Sequence, residues 1–361
     1  MKIRKKITAL ITAAVLAFAG LTGCGSSEES EDEEIVVRIQ VSKDTVCGVA
    51  MQVAAENGYF EEEFAAIGQS CEITVAASSE TYDLLTAGKI DAAFGLAANF
   101  ITPIANGLAV SFVTGVHKGC TKFYAKADSG ITSLEDFKGK TIGVPTLTDS
   151  STLNLKRKLA DEGFDLTSTN PDVTFVAYSM SDLPAALDNG AVDIIGVHEP
   201  VGTTVEANYD VVKLLDTGED EKFIDEYCCM ALVTQDMIEN NPEGAAAFAR
   251  AVQKGAAFAE SNPEEAARIQ IEGGYVSGDV ETNAAIIEGL DFTPSVYYAR
   301  ETFSNAFKDL QGTNDIDPEL DEEEFTEKVF PVLDGVPETT TYDPDTDTFT
   351  TSDEIAESSN N

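Results

Sequence analysis

The fold is decided by two similar stretches, Leu85-Thr86-Ala87-Gly88-Lys89-Ile90-Asp91 and Leu187-Asp188-Asn189-Gly190-Ala191-Val192-Asp193, which begin 102 residues apart. Each stretch ends a predicted helix, stops it at a glycine, and opens an apolar strand with an aspartate. Each also follows a strand that runs into serines, residues 73–79 and 173–179. A strand–helix–strand unit used twice predicts two α/β lobes with a cleft between them, at the carboxyl ends of the strands.

The N-terminus has the pattern of an export signal. Residues 1–6 are mostly basic, residues 7–20 are apolar, and the small residues of Leu21-Thr22-Gly23 precede Cys24. This pattern predicts a signal peptide over residues 1–23 and not a membrane span. It resembles the lipobox of bacterial lipoproteins, which implies acylation of Cys24 and a lipid anchor on the extracytoplasmic face of the cell membrane. An ordinary secretory signal with a chance cysteine is the alternative.

The chain is strongly acidic, with 64 acidic and 23 basic side chains and a formal net charge of −41. This charge argues against a nucleic-acid reader, because phosphates would not be neutralised. The acidic run in residues 24–35 predicts an extended tether, since it repels itself and cannot bury apolar surface. Residues 332–361 are rich in Thr, Asp, Glu and Ser, and we expect an acidic polar tail with little order.

Between tether and tail, about 300 residues remain, which suits two lobes. Strands and helices alternate through the first half, and residues 242–310 are predicted to be mostly helical. Two segments are candidate crossings between the lobes, residues 110–126 and 226–234. We therefore predict lobe I over residues 36–118 and 229–331, and lobe II over residues 119–228.

Four stretches, which include the two repeats, occur together in an order that resembles a known family. They are Asn57-Gly58-Tyr59-Phe60, residues 85–91, the segment Ser133–Val144 with its Gly-Lys-Thr-Ile-Gly-Val motif, and Leu187–Pro200. The chain is similar to the solute-binding proteins of ABC importers for nitrate, sulfonates and taurine, a group that includes binders of thiamine precursors. The resemblance covers roughly residues 36–333. It implies a two-lobed periplasmic-binding-protein fold of the second type, in which each lobe is a mostly parallel sheet flanked by helices and two crossover segments form the hinge.

Candidate ligand-binding residues lie in the loops after predicted strands, where hydroxyls and helix-start N–H groups are available. The same small polar residues also cap helices, so capping is the competing interpretation of any one loop. The candidates are Ser42, Lys43, Thr45, Ser78, Ser79, Ala97, Thr148, Asp149, Ser150, Tyr178, Ser179, His198 and Glu199. The loop after the first repeat, which contains Ala97, is small and neutral. The loop after the second repeat, His198-Glu199-Pro200, is not. We therefore expect specificity to reside in the difference between the two copies. Lys43, Lys118 and Lys122 are candidate counter-charges for an anionic ligand, and simple solvation is the competing interpretation of each.

The cysteines allow more than one interpretation. Cys120 lies at the first crossing and Cys228 and Cys229 lie at the second, so a disulfide from Cys120 to either of them is possible in an exported protein. Free, mostly buried thiols are the favoured interpretation. A metal site of His117 with these three cysteines lacks a recognised ligand spacing, and we expect no metal and no cofactor. A calcium-loop spacing in the tail, residues 343–354, lacks the turn glycine and the flanking helices.

The sequence predicts a lipid-anchored binding protein, not an enzyme, which delivers a small ligand to an ABC permease and its ATPase. It is expected to be monomeric. A sulfonate, taurine or nitrate is the favoured ligand and a thiamine pyrimidine precursor the alternative, in which case stacking would fall to Tyr59, Tyr82, Phe100 or Tyr178. A receptor that presents its ligand to a sensor, and an enzyme similar to a thiamine-pyrimidine synthase, are the other function classes.

Overall fold

The structure is a computed structural model that describes residues 35–167 and 169–355. Its strands are β1 Val36–Lys43, β2 Ser70–Ala77, β3 Ala92–Leu96, β4 Val110–Lys118, β5 Thr121–Lys126, β6 Thr141–Val144, β7 Thr174–Ala177, β8 Ile194–His198, β9 Val211–Asp216, β10 Tyr227–Thr234, β11 Thr339–Asp343 and β12 Thr348–Ser352. Its α-helices are α1 Val49–Glu56, α2 Tyr59–Ala65, α3 Thr81–Thr86, α4 Ala97–Ala105, α5 Ser150–Asp161, α6 Leu183–Asp188, α7 Val201–Asn208, α8 Gln235–Asn240, α9 Pro242–Ser261, α10 Pro263–Glu272, α11 Val280–Glu288, α12 Tyr297–Gly312 and α13 Glu322–Val329.

Two five-stranded sheets carry the fold, and they share one strand order. The first sheet runs β2-β1-β3-β10-β4 and the second runs β7-β6-β8-β5-β9. In each, the first three strands are parallel, while the fourth is antiparallel to both of its neighbours. The predicted α/β class, with two mostly parallel sheets flanked by helices, is therefore confirmed.

The repeated sequence unit occupies the same place in both sheets. Gly88 and Gly190 end their helices with positive φ angles of 61° and 71°, which glycine adopts without steric cost. Asp91 accepts a hydrogen bond of 2.8 Å from the backbone N–H of Arg38, at the start of the neighbouring strand. Asp193 accepts the equivalent bond, also 2.8 Å, from the N–H of Thr141. The shared aspartate thus pins the same two parallel strands together in each copy.

The chain passes between the sheets where β4 leads into β5 and where β9 leads into β10. At the first passage, Gly119 has a φ of +54°, and a Cβ built there would lie 2.6 Å from the Cα of Gly218, at the second passage. The two connections therefore lie against each other with no room for a side chain. A hinge at these two connections stays a prediction.

Apolar side chains cover both faces of both sheets. On the first sheet, one face packs against α1, α2, α9 and α10, and the other against α4, α12 and α13. The second sheet packs between two smaller cores, one of them centred on α5. The helices after β10 all attach to the first sheet or its flanking helices, and the predicted helical stretch from Pro242, with Pro263 opening its second helix, is confirmed.

The expectation of a tail with little order is wrong for residues 339–352. These residues form the hairpin β11–β12, which packs on α9 and α2. Tyr342 contacts Phe258 at a ring distance of 5.1 Å, and Phe349 contacts Tyr59 edge-on at 5.2 Å. The polar composition of these residues predicted little order. One aromatic side chain per strand, on the same face of the hairpin, is nevertheless enough to hold it on the core.

Three predictions lie outside the described residues: the signal peptide of residues 1–23, the lipidated Cys24, and the tether up to residue 34. Residues 356–361 of the tail lie outside them too. Within the described part of the chain, none of the helices combines the length and apolar character that crossing a bilayer demands.

Candidate functional site

A cleft of about 580 Å³ lies between the carboxyl ends of the two sheets. This is the position that open α/β sheets use for ligands, since the loops after parallel strands converge there. Loops after β1, β2, β3, β6, β7 and β8 contribute, together with the start of β10. The lining residues are Asp44, Thr45, Cys47, Ser78, Ser79, Thr81, Tyr82, Phe94, Gly95, Leu96, Asn99, Phe100, Pro145, Thr146, Asp149, Met180, His198, Glu199, Pro200, Val201 and Cys229.

A buried ion pair lies on the side of the cleft that the second sheet supplies. Asp149 caps the N-terminus of α5 by accepting from the N–H of Ser151 at 2.9 Å, and its Oδ1 lies 2.8 Å from Nε2 of His198. Nδ1 of His198 lies 3.0 Å from the hydroxyl of Thr121. Burial lowers the pKa of His198, but attraction to Asp149 outweighs burial and raises the pKa to about 9. His198 is therefore an imidazolium whose charge Asp149 already balances.

Glu199 is neutralised in a similar way. Its Oε1 lies 2.6 Å from Nζ of Lys122 on β5, and its Oε2 accepts from the N–H of Thr203 at 2.9 Å. Burial lowers the pKa of Lys122, and the hydrogen bond from its ammonium group to Glu199 raises it above the ordinary value. The lysine approaches from behind the cleft and does not line it. Lys122 was a candidate counter-charge for an anion, and its charge is already used.

The other two lysines considered as counter-charges lie elsewhere. Lys118 pairs with Asp291 at 2.9 Å, and Lys43 is exposed and not part of the lining. Among the described residues that line the cleft, none is Lys or Arg, whereas three are carboxylates: Asp44, Asp149 and Glu199.

The structure brings about half of the predicted ligand-binding residues together. The cleft is lined by Thr45, Ser78, Ser79, Asp149, His198 and Glu199. The remaining predicted residues are not in its lining: Ser42, Lys43, Ala97, Thr148, Ser150, Tyr178 and Ser179. Several of these serve local structure, which was the competing interpretation. Ser179 donates to Asp182 at 2.5 Å at the start of a short helix, and Ala97 and Ser150 face a small separate pocket of about 20 Å³.

Sequence reasoning missed part of the lining, including the cleft face of the first sheet. Phe94 on β3 and Asn99 on α4 lie close to Ala97 in the chain, and both line the cleft. The sequence does not say which side chains near this strand end turn inward. Cys47 comes directly after the Ser42–Thr45 loop, and this position after β1 was the signal that could have identified it. Tyr59, one of the proposed stacking residues, instead packs under the C-terminal hairpin.

Five thiol and imidazole groups meet beneath the cleft. The ligand atoms of Cys47, His117 and Cys120 lie within 4.8 Å of one another, as do the sulfurs of Cys120, Cys228 and Cys229, and all five residues are buried. Donation from the Cys120 thiol lowers the pKa of both Cys47 and Cys228. The cysteines are free thiols in the structure, and a disulfide from Cys120 to Cys228 or Cys229 stays a prediction.

With this geometry established, the chain can be compared with known proteins. A family model described as NMT1/THI5 like matches residues 49–266. The formylaminopyrimidine-binding protein of Halalkalibacterium halodurans is 26% identical over 273 residues, which cover 72% of this chain and 77% of that protein.

Two solved structures have similar folds. The periplasmic aliphatic sulphonate binding protein SsuA of Escherichia coli superposes with a TM-score of 0.66 at 16% identity, covering 83% of this chain and 94% of that one. The periplasmic nitrate-binding protein NrtA of Synechocystis PCC 6803 gives 0.67 at 15% identity, covering 82% and 86%. At these identities the likeness concerns the fold, and it confirms the predicted two-lobed binding-protein architecture.

Proposed function

The chain belongs to the NMT1/THI5-like family, and on this premise we propose that it is the binding component of an ABC importer and captures a small aromatic heterocycle of the pyrimidine type in its cleft. The observation that carries the proposal is the charge of the lining. Among the described residues that line the cleft, none is lysine or arginine, and the one cation, His198, is balanced by Asp149. Glu199 is balanced by Lys122 from outside the lining, which leaves Asp44 as the lining carboxylate without an ion pair among the described residues.

This charge pattern argues against the ligand that the sequence alone favours. A sulfonate or nitrate would enter the cleft beside Asp44, and no lysine, arginine or unpaired imidazolium among the described lining residues would balance its charge. An aminopyrimidine presents N–H groups, which carboxylate oxygens accept in charge-assisted hydrogen bonds. The 26% identical formylaminopyrimidine-binding protein supports the same ligand class.

The shape and the apolar surface of the cleft also support a flat ring. Tyr82, Phe94 and Phe100 line the side that the first sheet supplies, and aromatic rings favour offset stacking or edge contacts with another ring. Tyr82 is 46% exposed, so its ring is available to a ligand in the cleft. A volume of about 580 Å³ suits a ring with substituents and is larger than nitrate needs.

A thermal-shift screen of the mature chain tests this proposal. The panel holds a formylaminopyrimidine and related aminopyrimidines in one arm, and taurine, alkanesulfonates, nitrate and bicarbonate in the other. A ligand at a hundred times its Kd stabilises the folded state by about 2.7 kcal/mol, which raises the melting temperature by several degrees. Stabilisation by pyrimidines alone supports the proposal, and stabilisation by sulfonates or nitrate alone overturns it.

The anchoring and the partners belong to the same proposal. Acylation of Cys24 would hold the protein on the extracytoplasmic face, where it meets a permease and its ATPase. We expect a Cys24→Ala chain to be released from the membrane fraction while it retains its ligand affinity. Uptake of labelled pyrimidine should fall when either the protein or the permease is deleted. A receptor for a sensor would instead leave uptake intact.

The proposed role is binding without chemical change of the ligand. Mass spectrometry of a pyrimidine incubated with the protein and then released by denaturation is expected to return the compound unaltered. Appearance of a new product would favour the competing enzyme interpretation.

A further inference from the structure

The thiol and imidazole groups beneath the cleft come from four separate parts of the chain. Cys47 precedes α1, His117 ends β4, Cys120 lies at the first passage between the sheets, and Cys228 and Cys229 begin β10. They form two groups of three whose ligand atoms lie within 4.8 Å, and Cys120 belongs to both. Two linked triads of this kind provide more than the four ligands that a tetrahedral metal ion needs.

His117 has a ring nitrogen that nothing in the described structure satisfies. The residue is fully buried, and its Nε2 has no hydrogen-bond partner among the described residues. Its Nδ1 lies 3.2 Å from the carbonyl oxygen of Lys118, so Nδ1 donates there and Nε2 is the nitrogen left to face a metal ion. Metal-binding histidines have this arrangement, with one nitrogen oriented by a backbone carbonyl and the other free to coordinate.

The surroundings of His117 close its remaining faces. The ring of Phe292 lies 4.9 Å away and that of Phe94 lies 6.1 Å away, measured between centroids. Apolar walls of this kind keep water from the lone pair of Nε2. The remaining neighbours of the His117 ring are the two other members of its triad, Cys47 and Cys120.

The chemical nature of the coordinating side chains indicates which metal ion the site favours. Thiolate and imidazole groups are soft or borderline ligands and suit Zn²⁺, while Mg²⁺ and Ca²⁺ need oxygen ligands. With Zn–S bonds of about 2.3 Å, the sulfurs of a tetrahedral site are about 3.8 Å apart. Separations within 4.8 Å inside each triad need only small side-chain rotations to reach that value, and the fourth ligand, Cys228 or Cys229, must move toward Cys47 and His117 from its place beside Cys120.

An ion can reach this site from the cleft. All four residues are almost fully buried, but Cys47 and Cys229 line the cleft and His117 and Cys120 do not. The two lining thiols therefore provide the access route, and the deeper groups complete the coordination.

We propose that Cys47, His117, Cys120 and one of Cys228 and Cys229 bind a single Zn²⁺ ion beneath the ligand cleft. The ion would tie the loop after β1 to both passages between the sheets. This site is independent of the ligand proposal, because its formation requires no organic molecule in the cleft.

Zinc titration of the full mature chain tests the proposal. The protein carries Cys24→Ala so that only the internal thiols contribute, and it is reduced and stripped with a chelator before ZnCl₂ is added against a competing indicator. We expect one ion per chain by native mass spectrometry and a rise in melting temperature. Co²⁺ in place of Zn²⁺ should give the visible absorption of tetrahedral thiolate coordination. A chain that binds no zinc overturns the proposal.

Variants locate the site. Cys120→Ser and His117→Gln should each weaken zinc binding by roughly a hundredfold or more, because each removes a ligand from the sphere. The matched control is Cys71→Ser, since Cys71 is a half-buried thiol on β2 that belongs to neither triad. Melting curves of the zinc-free variants establish that they fold. Cys120→Ser binding zinc as tightly as the parent chain overturns the assignment, as does equal weakening by Cys71→Ser.

Discussion

Oδ1 of Asp149 lies 2.8 Å from Nε2 of His198, so a helix cap on α5 and the last residue of β8 form one buried ion pair beside the cleft. The sequence places both residues in strand-end loops but 49 positions apart. His198 is the only cationic group in the described cleft lining, and its charge is balanced by Asp149 and not available to an anionic ligand. The charge balance of the cleft lining depends on this pair, and the proposed class of ligand rests on that balance.

The pair makes stability depend on pH. Burial lowers the pKa of His198. Attraction to Asp149 more than offsets this effect, so the pKa of His198 is about 9, against 6.5 for the free group. A raised pKa contributes stability that is complete below about pH 6.5 and is lost as the pH rises to about 9. We expect the melting temperature of chelator-treated protein to fall more steeply across this range than that of His198→Gln. Parallel slopes in circular dichroism melts would contradict the pair's role.

The passage between the sheets is expected to tolerate no side chain. Gly119→Ala combines a positive φ with a Cβ 2.6 Å from the backbone of Gly218, and should cost about 2 kcal/mol or more. Gly130→Ala is the control, because Gly130 also has a positive φ but no atom within 4 Å of the added Cβ. It should cost only about 1 kcal/mol. Urea unfolding measures both, and similar losses would argue against the close contact.

A buried arginine ties α5 to α12. Arg157 donates to both carboxylate oxygens of Glu226 at 2.7 Å and to Asp309 at 2.8 Å. Arg157→Met should destabilise the fold by about 3–5 kcal/mol, because it leaves partly buried carboxylates without their cation. The exposed Arg268 pairs only along its own helix, and Arg268→Met should cost less than about 0.5 kcal/mol. Equal unfolding free energies for the two variants would refute this role.

The C-terminal hairpin is expected to stabilise the fold. Phe349 packs against Tyr59 and Tyr342, so Phe349→Ala should lower the free energy of unfolding by about 1–3 kcal/mol. Thr350, the next residue along β12, is exposed, and its replacement by alanine should change stability little. Chemical denaturation distinguishes the two variants, and an unchanged midpoint for Phe349→Ala would show that the hairpin contributes nothing.

The ligand is expected to contact Tyr82. Tyr82→Ala should weaken binding of a pyrimidine about tenfold through loss of ring stacking. Tyr297→Ala is the matched control, because Tyr297 is similarly exposed, at 41% against 46%, and lies outside the cleft lining. Fluorescence or calorimetric titrations of the two variants give the comparison, and equal affinities would place the ligand away from Tyr82.

The fold could be predicted because its signals are local. The glycine stops at Gly88 and Gly190 and the aspartates that follow them mark helix ends and strand starts within a few residues. Each copy then adopts the same pairing around Asp91 and Asp193. The hairpin was missed for the opposite reason, since its stability comes from contacts with α9 and α2 that composition does not reveal.

The site could be predicted only in outline. Topology locates the loops that converge at the cleft, and six of the predicted residues do line it. Which charges remain free there depends on partners distant in sequence, such as Lys122 with Glu199. The same holds for the thiol cluster, which brings together Cys47 and Cys120 from separate parts of the chain.

Calorimetric titration of the mature chain with a formylaminopyrimidine, and separately with taurine and nitrate, shows whether the cleft binds a pyrimidine and not an anion. The charge and the aromatic surface of the cleft predict saturable one-to-one binding of the pyrimidine and no binding heat from either anion. Saturable binding of taurine or nitrate, with none of the pyrimidine, would contradict the account.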